Sequence, residues 1–278
     1  MKATRKFGVE LEVVGGMVGA YTLAQALTAA GVRTETQGYN HSTSNVWKIV
    51  PDGSLSGRNA FELVSPPMVF GEESVATLRT VCGVLNNLGV KVNTSCGFHV
   101  HVDASDLNAA HMKNLVAMFC RFEPVMDALV PAARRSSEWA RSNAARLGRT
   151  DADRVAVIEA AANTSVLRAL HNNNRYQKLN LEALGRHGTV EFRQAAGTTN
   201  ADKVVGWVAM CVGLVSSSRK LRGLRSKTQF TFSRLLGRVE TQYRPLLVAR
   251  RRELAAKERR VAAREASART ARLANAGY

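Results

Sequence analysis

Three segments of this chain place polar residues two positions apart between apolar ones. They are Glu10 and Glu12 in FGVELEV, His99 and His101 in CGFHVHVD, and Glu191 and Arg193 in TVEFRQ. On a β-strand, residues i and i+2 leave the same face with Cα atoms about 6.5–7 Å apart. Two carboxylates so placed repel unless a cation lies between them. Two imidazoles make a metal or phosphate pair. A carboxylate beside a guanidinium can hold a metal while the guanidinium neutralises phosphate oxygens. Each pair also has a plain structural reading: a solvated strand face, hydrogen-bonded histidines, or a surface ion pair. Taken together, and joined by Glu62 in FELVSPP, they would line one sheet face with charges that are hard to stabilise without ions. Carboxylate oxygens with only one or two imidazoles favour Mg²⁺ or Mn²⁺ over structural zinc.

Asp52 lies in the turn signature PDGS. No G-x-x-x-x-G-K-[ST] loop is present, so phosphates would have to be held by metals and by basic side chains. Arg175, Lys178 and Arg193 are the candidates. Cys96 stands next to the histidine pair, but carboxylate surroundings raise a thiol pKa and make it a poor nucleophile.

The elements that must position these residues follow from periodicity. Alternation predicts strands over Lys6–Val14 and over 32–36, 46–50, 61–64, 90–92, 98–102, 176–181 and 189–194. The apolar stripes predict helices over 21–30, 72–88, 108–130, 151–170 and roughly 201–218. Pro124 should kink or split the third of these, Asp151 is the expected N-cap of the fourth, and Asn200 that of the fifth. The Arg-rich segment 132–150 reads as a loop or a short helix over the site. Irregular interleaving with polar–apolar alternation predicts an α+β fold with a largely antiparallel sheet, one face of it lining the site.

The chain has 278 residues and a net charge of +17. From Arg219 onward there are 17 Lys/Arg against 4 Glu, whereas the first 218 residues hold 22 basic and 18 acidic residues. This predicts a nearly balanced catalytic body over 1–220 and a basic, helix-favouring extension over 221–278. A solvated tail, a DNA- or RNA-binding tail and an oligomer contact are its three readings. Leu247, Leu254 and Val261 repeat every seven residues before the seam fails at Ala268, which argues against a long coiled coil. Tyr243 and Tyr278 are the tail's few aromatics, so phosphate contacts rather than base stacking are expected of it. Absence of an 18-residue apolar run and of a signal-peptide pattern, with four scattered cysteines, predicts a cytoplasmic protein that does not enter a membrane.

At these residues the sequence resembles the amidoligase family of glutamine synthetase-like carboxylate–amine ligases. The matching pieces are FGVELE, WKIVPDGSL, ELVSPP, CGFHVHVD, RYQKLNL and GTVEFRQAAGT, in the family's order over residues 6 to 200. NTSCGFHVH is also similar to the glutamine synthetase segment NGSGMHVH. The resemblance implies ATP with Mg²⁺ or Mn²⁺ and an amide bond formed through an acyl-phosphate. It implies one metal on Glu10, His99 and Glu191 and another on Glu12 and Glu62. It puts His101 and Arg193 at the phosphates, Arg175, Lys178 and Asn180 on the nucleotide or acyl-phosphate side, and Asp52 toward the substrate. The implied partners are a small carboxylate and an amine or peptide, with a nucleic-acid-linked substrate as a further class. The alternatives from the residues alone are a metal-dependent hydrolase that needs no ATP, and a catalytically degenerate protein that binds nucleic acid through its tail.

Overall fold

The computed structural model describes residues 4–40, 42–220 and 229–275. Its strands are β1 (Lys6–Val14), β2 (Thr34–Thr36), β3 (Trp47–Pro51), β4 (Ala60–Val64), β5 (Met68–Val69), β6 (Gly97–Asp103), β7 (Leu179–Asn180) and β8 (Thr189–Ala196). They form one sheet in the order β2-β3-β4-β1-β6-β8-β7, with β5 pairing the start of β1. All pairs are antiparallel except β2 with β3. The long helices are α1 (Ala20–Ala29), α2 (Glu72–Asn87) and α3 (Ala109–Asp127). Next come α4 (Ala132–Arg135), α5 (Asn143–Leu147), α6 (Asp151–Ala160), α7 (Thr164–Ala169) and α8 (Ala183–His187). The chain ends in α9 (Ala201–Ser218), α10 (Phe232–Leu236) and α11 (Arg244–Asn275). The fold is α+β with a mixed, mostly antiparallel sheet, as the alternation predicts.

That alternation sorts the two faces of the sheet. Phe7, Val9, Leu11 and Val13 of β1, Phe61 and Leu63 of β4, Phe98, Val100 and Val102 of β6, and Val190 and Phe192 of β8 all enter one hydrophobic core. Helices α1, α2, α3 and α9 supply its other half. Each such side chain, fully buried, contributes roughly 1.5–3 kcal/mol. Helix α9 is covered almost all round, which is why Val204–Val215 carries no charged residue. The residues between the core positions face the opposite way.

Local chemistry explains most helix starts. Asn108 and Asn200 cap α3 and α9 through hydrogen bonds accepted from the N–H groups of His111 and Lys203. Other expectations are corrected. Thr150, not Asp151, caps α6, in a reciprocal box with Asp153. The predicted helix over 151–170 is two helices, because the backbone turns extended at Ala161 and Asn163 then caps the second. Helix α3 runs unbroken through Pro124. The expected strand over 90–92 is a single bridge from Lys91 to Val14, and that over 176–181 shrinks to β7. The short β5, just past the prolines, has no counterpart among the predicted strands.

The domain boundary expected at 220/221 falls on residues 221–228, and Tyr278 lies with 276–278; both stretches are outside the described residues. The segment beyond the boundary is tied to the body. Leu235, Val239, Tyr243 and Leu247 belong to the same core, Tyr243 meets Phe70 edge-on at 5.3 Å, and Phe230 meets Phe122 at 4.6 Å. Among the described residues no helix is long and apolar enough to cross a membrane.

Candidate active site

Sheet order turns sequence pairs into a cluster. Because β4, β1, β6, β8 and β7 are consecutive neighbours, Glu12 lies opposite Glu62, Glu10 opposite His99, His101 opposite Glu191, and Asn180 beside Glu191. All are on the face away from the hydrophobic core. His99 Nδ1 is 3.1 Å from Glu10 Oε2, and His101 Nε2 is 3.2 Å from Glu10 Oε1. Asn180 donates to Glu191 Oε2 at 2.6 Å and Arg193 to its Oε1 at 2.5 Å. Thr189 meets His101 Nδ1 at 3.0 Å and fixes the ring from behind.

The balance of charge here is incomplete. Burial works against ionisation of Glu10, but His101 and His99 outweigh it and hold its carboxyl well below the usual range. Burial also opposes the Glu191 carboxylate, and Arg193 and His101 keep it low. Burial pulls the His101 imidazolium down, yet Glu191 and Glu10 push it up to about 9. For Glu62 the attraction of the Lys48 ammonium does not outweigh the opposing causes. Burial, then Glu10, Glu12 and Asp52, drive its carboxyl well above the ordinary range. A divalent cation among these oxygens would reverse that.

Two groups are compact enough for one ion each: Glu10, His101 and Glu191, and Glu10, Glu62 and His99. In each, the ligand atoms lie within 4.8 Å of one another, and Glu10 is common to both. Two carboxylates and one imidazole per group suit Mg²⁺ or Mn²⁺. This grouping differs from the one the resemblance implies. Glu12 belongs to neither group but stands beside them: its Oε2 accepts the Gly97 N–H and its Oε1 is 3.6 Å from His99 Nε2. His101, expected at a phosphate, sits among the ligand atoms instead. Gly97 is required by this close approach: a Cβ there would come within 2.8 Å of His99 Nε2 and 3.2 Å of Glu12 Oε2.

The cluster forms the floor of a cavity of about 1050 Å³. Asp52, Asn180, Arg175 and Arg193 also line it. Asp52 is both turn and wall, since its Oδ1 accepts from the Ser54 N–H and hydroxyl at 2.8 and 2.7 Å. Arg175 stacks over Tyr176 at 5.1 Å, and Tyr176 packs edge-on against Trp139 at 5.1 Å. Lys178 is the exception. It is buried away from the cavity, with Nζ 3.1 Å from Glu123 and 2.8 Å from Asp127 of α3. The chain bends at Lys178 before β7 begins, so period two fails there and the side chain leaves the face that Asn180 occupies. The expectation that Lys178 meets a nucleotide is corrected accordingly.

The sequence pattern does not single out Arg134 or Trp139, although both lie in the 132–150 segment expected over the site. Arg134 is buried, donates to the Arg193 carbonyl at 2.9 Å, and leaves its Nε without a partner among the described residues. Burial lowers its pKa, with Arg193 adding to the effect and Glu12 opposing it. The signal available in the sequence is an arginine doublet shortly after Pro131. Cys96 is at the rim with its thiol raised, first by burial and also by Glu12, which agrees with its dismissal as a nucleophile.

The profile of the family described as "Putative amidoligase enzyme" matches residues 3–215. The chain belongs to that family. Strands β1 to β8 and most of α9 of this amidoligase-family chain fall inside the match, and α10 and α11 fall beyond it. No curated protein matches. Among solved structures, one titled "Crystal structure of novel glutamine synthase homolog" matches with 13% identity and a TM-score of 0.44, covering 91% of this chain and 67% of the other.

Proposed function

We propose that the cavity is the active site of an ATP- and Mg²⁺-dependent carboxylate–amine ligase. The observation that carries this reading is the surplus of carboxylates around Glu10, Glu62 and Glu191, with Arg193 and Arg134 beside them. A site of cations facing anions suits a metal–triphosphate complex, and the cavity volume admits a nucleotide with a second substrate. Glu10, Glu62, Glu191, His99 and His101 would hold the metal ions. When bound, these ions supply Lewis-acid polarisation of phosphate oxygens.

The chain's own groups do the rest. Arg193, kept ionised by Glu191 and Glu10 against the cost of its burial, neutralises charge that develops on the transferred phosphoryl group. Arg134, which also lines the cavity, adds a second guanidinium charge beside the same anion. Asn180 fixes Glu191, and Trp139, Tyr176 and Arg175 wall off one side from water. A substrate carboxylate oxygen attacks the γ-phosphorus, the bond to the β–γ bridging oxygen breaks, and ADP leaves. An amine nitrogen then attacks the acyl carbon, phosphate departs with the bonding pair, and the nitrogen gives up a proton. The substrate class is a small carboxylic acid or amino acid with an amine or peptide. Four buried free thiols suit a reducing, cytoplasm-like compartment.

The test needs no knowledge of the substrate. A thermal melt is recorded with Mg²⁺ and a non-hydrolysable ATP analogue, together and singly, for the wild type and Glu10→Ala. A rise of several degrees that requires both ligands and disappears in the variant is expected. A rise with metal alone, followed by metal-dependent cleavage of esters or amides without ATP, would replace the ligase with a hydrolase.

A further inference from the structure

We propose that the outer part of α11 is a docking arm for duplex DNA, engaged through phosphate contacts. The inference stands whether or not the cavity is a ligase site. Helix α11 has 32 residues, so it runs about 48 Å at 1.5 Å per residue. Its inner part is anchored. Leu247 and Leu254 are buried, Arg250 donates to the Leu129 carbonyl at 3.2 Å, and Glu258 pairs with Arg135 of α4. From Lys257 to Arg272 every side chain is exposed. That stretch holds six basic residues against Glu258 and Glu265, and Glu258 is already engaged by Arg135.

A helix that buries nothing must be held by its own composition and by what it binds. The Ala/Arg/Glu content supports the helix, and Glu265 precedes Arg269 by four residues, the favourable order for an ion pair. Lys257, Arg260 and Arg264 are spaced i, i+3, i+7 and so share one face. That stripe starts at the cavity, because Lys257 is one of its lining residues. A polyanion lying along the stripe therefore reaches the cavity mouth.

The chemistry selects among polyanions. Residues Arg244–Asn275 contain no aromatic side chain, so there is nothing to stack on unpaired bases, and single strands are disfavoured. The remaining surface is largely alanine, which allows a bare helix about 10 Å wide to approach closely. The B-form major groove is about 12 Å wide and admits a helix, whereas the A-form major groove of RNA is too narrow. Self-association is a poorer use of this face, since the apolar seam ends at Val261, which is 45% exposed, and gives way to Ala268.

The experiment measures anisotropy of a labelled short DNA duplex of arbitrary sequence with the full chain, from about 50 to 200 mM NaCl. A duplex RNA and a polyglutamate peptide serve as competitors. The comparison variant is Lys257→Gln/Arg260→Gln/Arg264→Gln, the three exposed positions of the stripe, checked for an unchanged melting temperature. Expected are a log–log salt slope of about −3 to −5 for the wild type, and in the variant at least about a tenfold loss of affinity with a slope shallower by about 3. No binding at the lowest salt, equal affinity in the variant, or competition by RNA or polyglutamate as strong as by DNA would each overturn the proposal.

Discussion

Two clusters of buried charge sit on opposite sides of the same sheet, and they are built differently. Behind it, Lys178 meets Glu123 and Asp127, Glu123 also accepts the Ala144 N–H at 3.0 Å, and Asp127 accepts from Gln194 at 2.6 Å. Every carboxylate there has a partner within the fold, so the cluster is closed. In front, Glu10, Glu12, Glu62 and Glu191 face two guanidinium groups and two imidazoles, and Glu62 is left with its carboxyl pushed well up by burial and by its acidic neighbours. The same residue types thus do two jobs. A closed cluster stabilises the fold, and an open one stores repulsion that a ligand can relieve.

The largest effect that would sharpen this contrast is functional. Glu62→Gln should lower ATP-dependent turnover by about 10²–10³-fold or more, while leaving the metal-free melting temperature unchanged or raised, because it replaces a carboxylate whose ionisation burial and its acidic neighbours oppose. A fall in both would merge the two clusters into one structural unit. Lys178→Met should do the reverse. It leaves the buried Glu123 and the half-buried Asp127 without their cation, at a cost of about 3–5 kcal/mol, which lowers the melting temperature by on the order of 10 °C. The increment in melting temperature on adding Mg²⁺ and nucleotide should persist.

Asn180→Ala lies between these extremes. It touches the open cluster only by holding Glu191, so it should reduce metal affinity or activity about 10–100-fold with little change in stability. Loss of stability without loss of affinity would move Asn180 to the structural side. The smallest effect belongs to an exposed pair. Arg121 donates to Asp151 at 2.7 and 2.8 Å and holds its carboxyl below the usual value. A depressed carboxylate contributes stability above its unfolded pKa, and that contribution is lost as pH falls through the folded value. Asp151→Asn should therefore cost no more than about 1 kcal/mol at neutral pH. The melting curves of variant and wild type should converge as pH falls through that lowered value. A larger effect would mean that exposure does not separate this pair from the buried ones.

Much of the open cluster is legible in the chain because period two is a property of any strand. Glu10, Glu12, Glu62, His99, His101 and Glu191 can be placed on strand faces from spacing alone. The core comes from the same alternation, and the basic helix from composition. Lys178 is illegible because RYQKLNL looks like one strand of 176–181, while the bend at Lys178 delays the strand until Leu179. Arg134 is illegible because α4 has too few residues to show a period.

What the sequence determined is which residues share a face, since backbone pleating and side-chain alternation act within a few residues. What only the tertiary structure decided is which faces meet. The order β4-β1-β6-β8-β7 joins residues as far apart as Glu10 and Glu191, and it makes Glu10, rather than two separate glutamates, common to both ligand groups. It also turns the Gly97 N–H toward Glu12, so that one oxygen of that carboxylate is engaged within the fold. These are consequences of strand pairing over long separations, where register is set by the burial of the entire opposite face and not by any local signal.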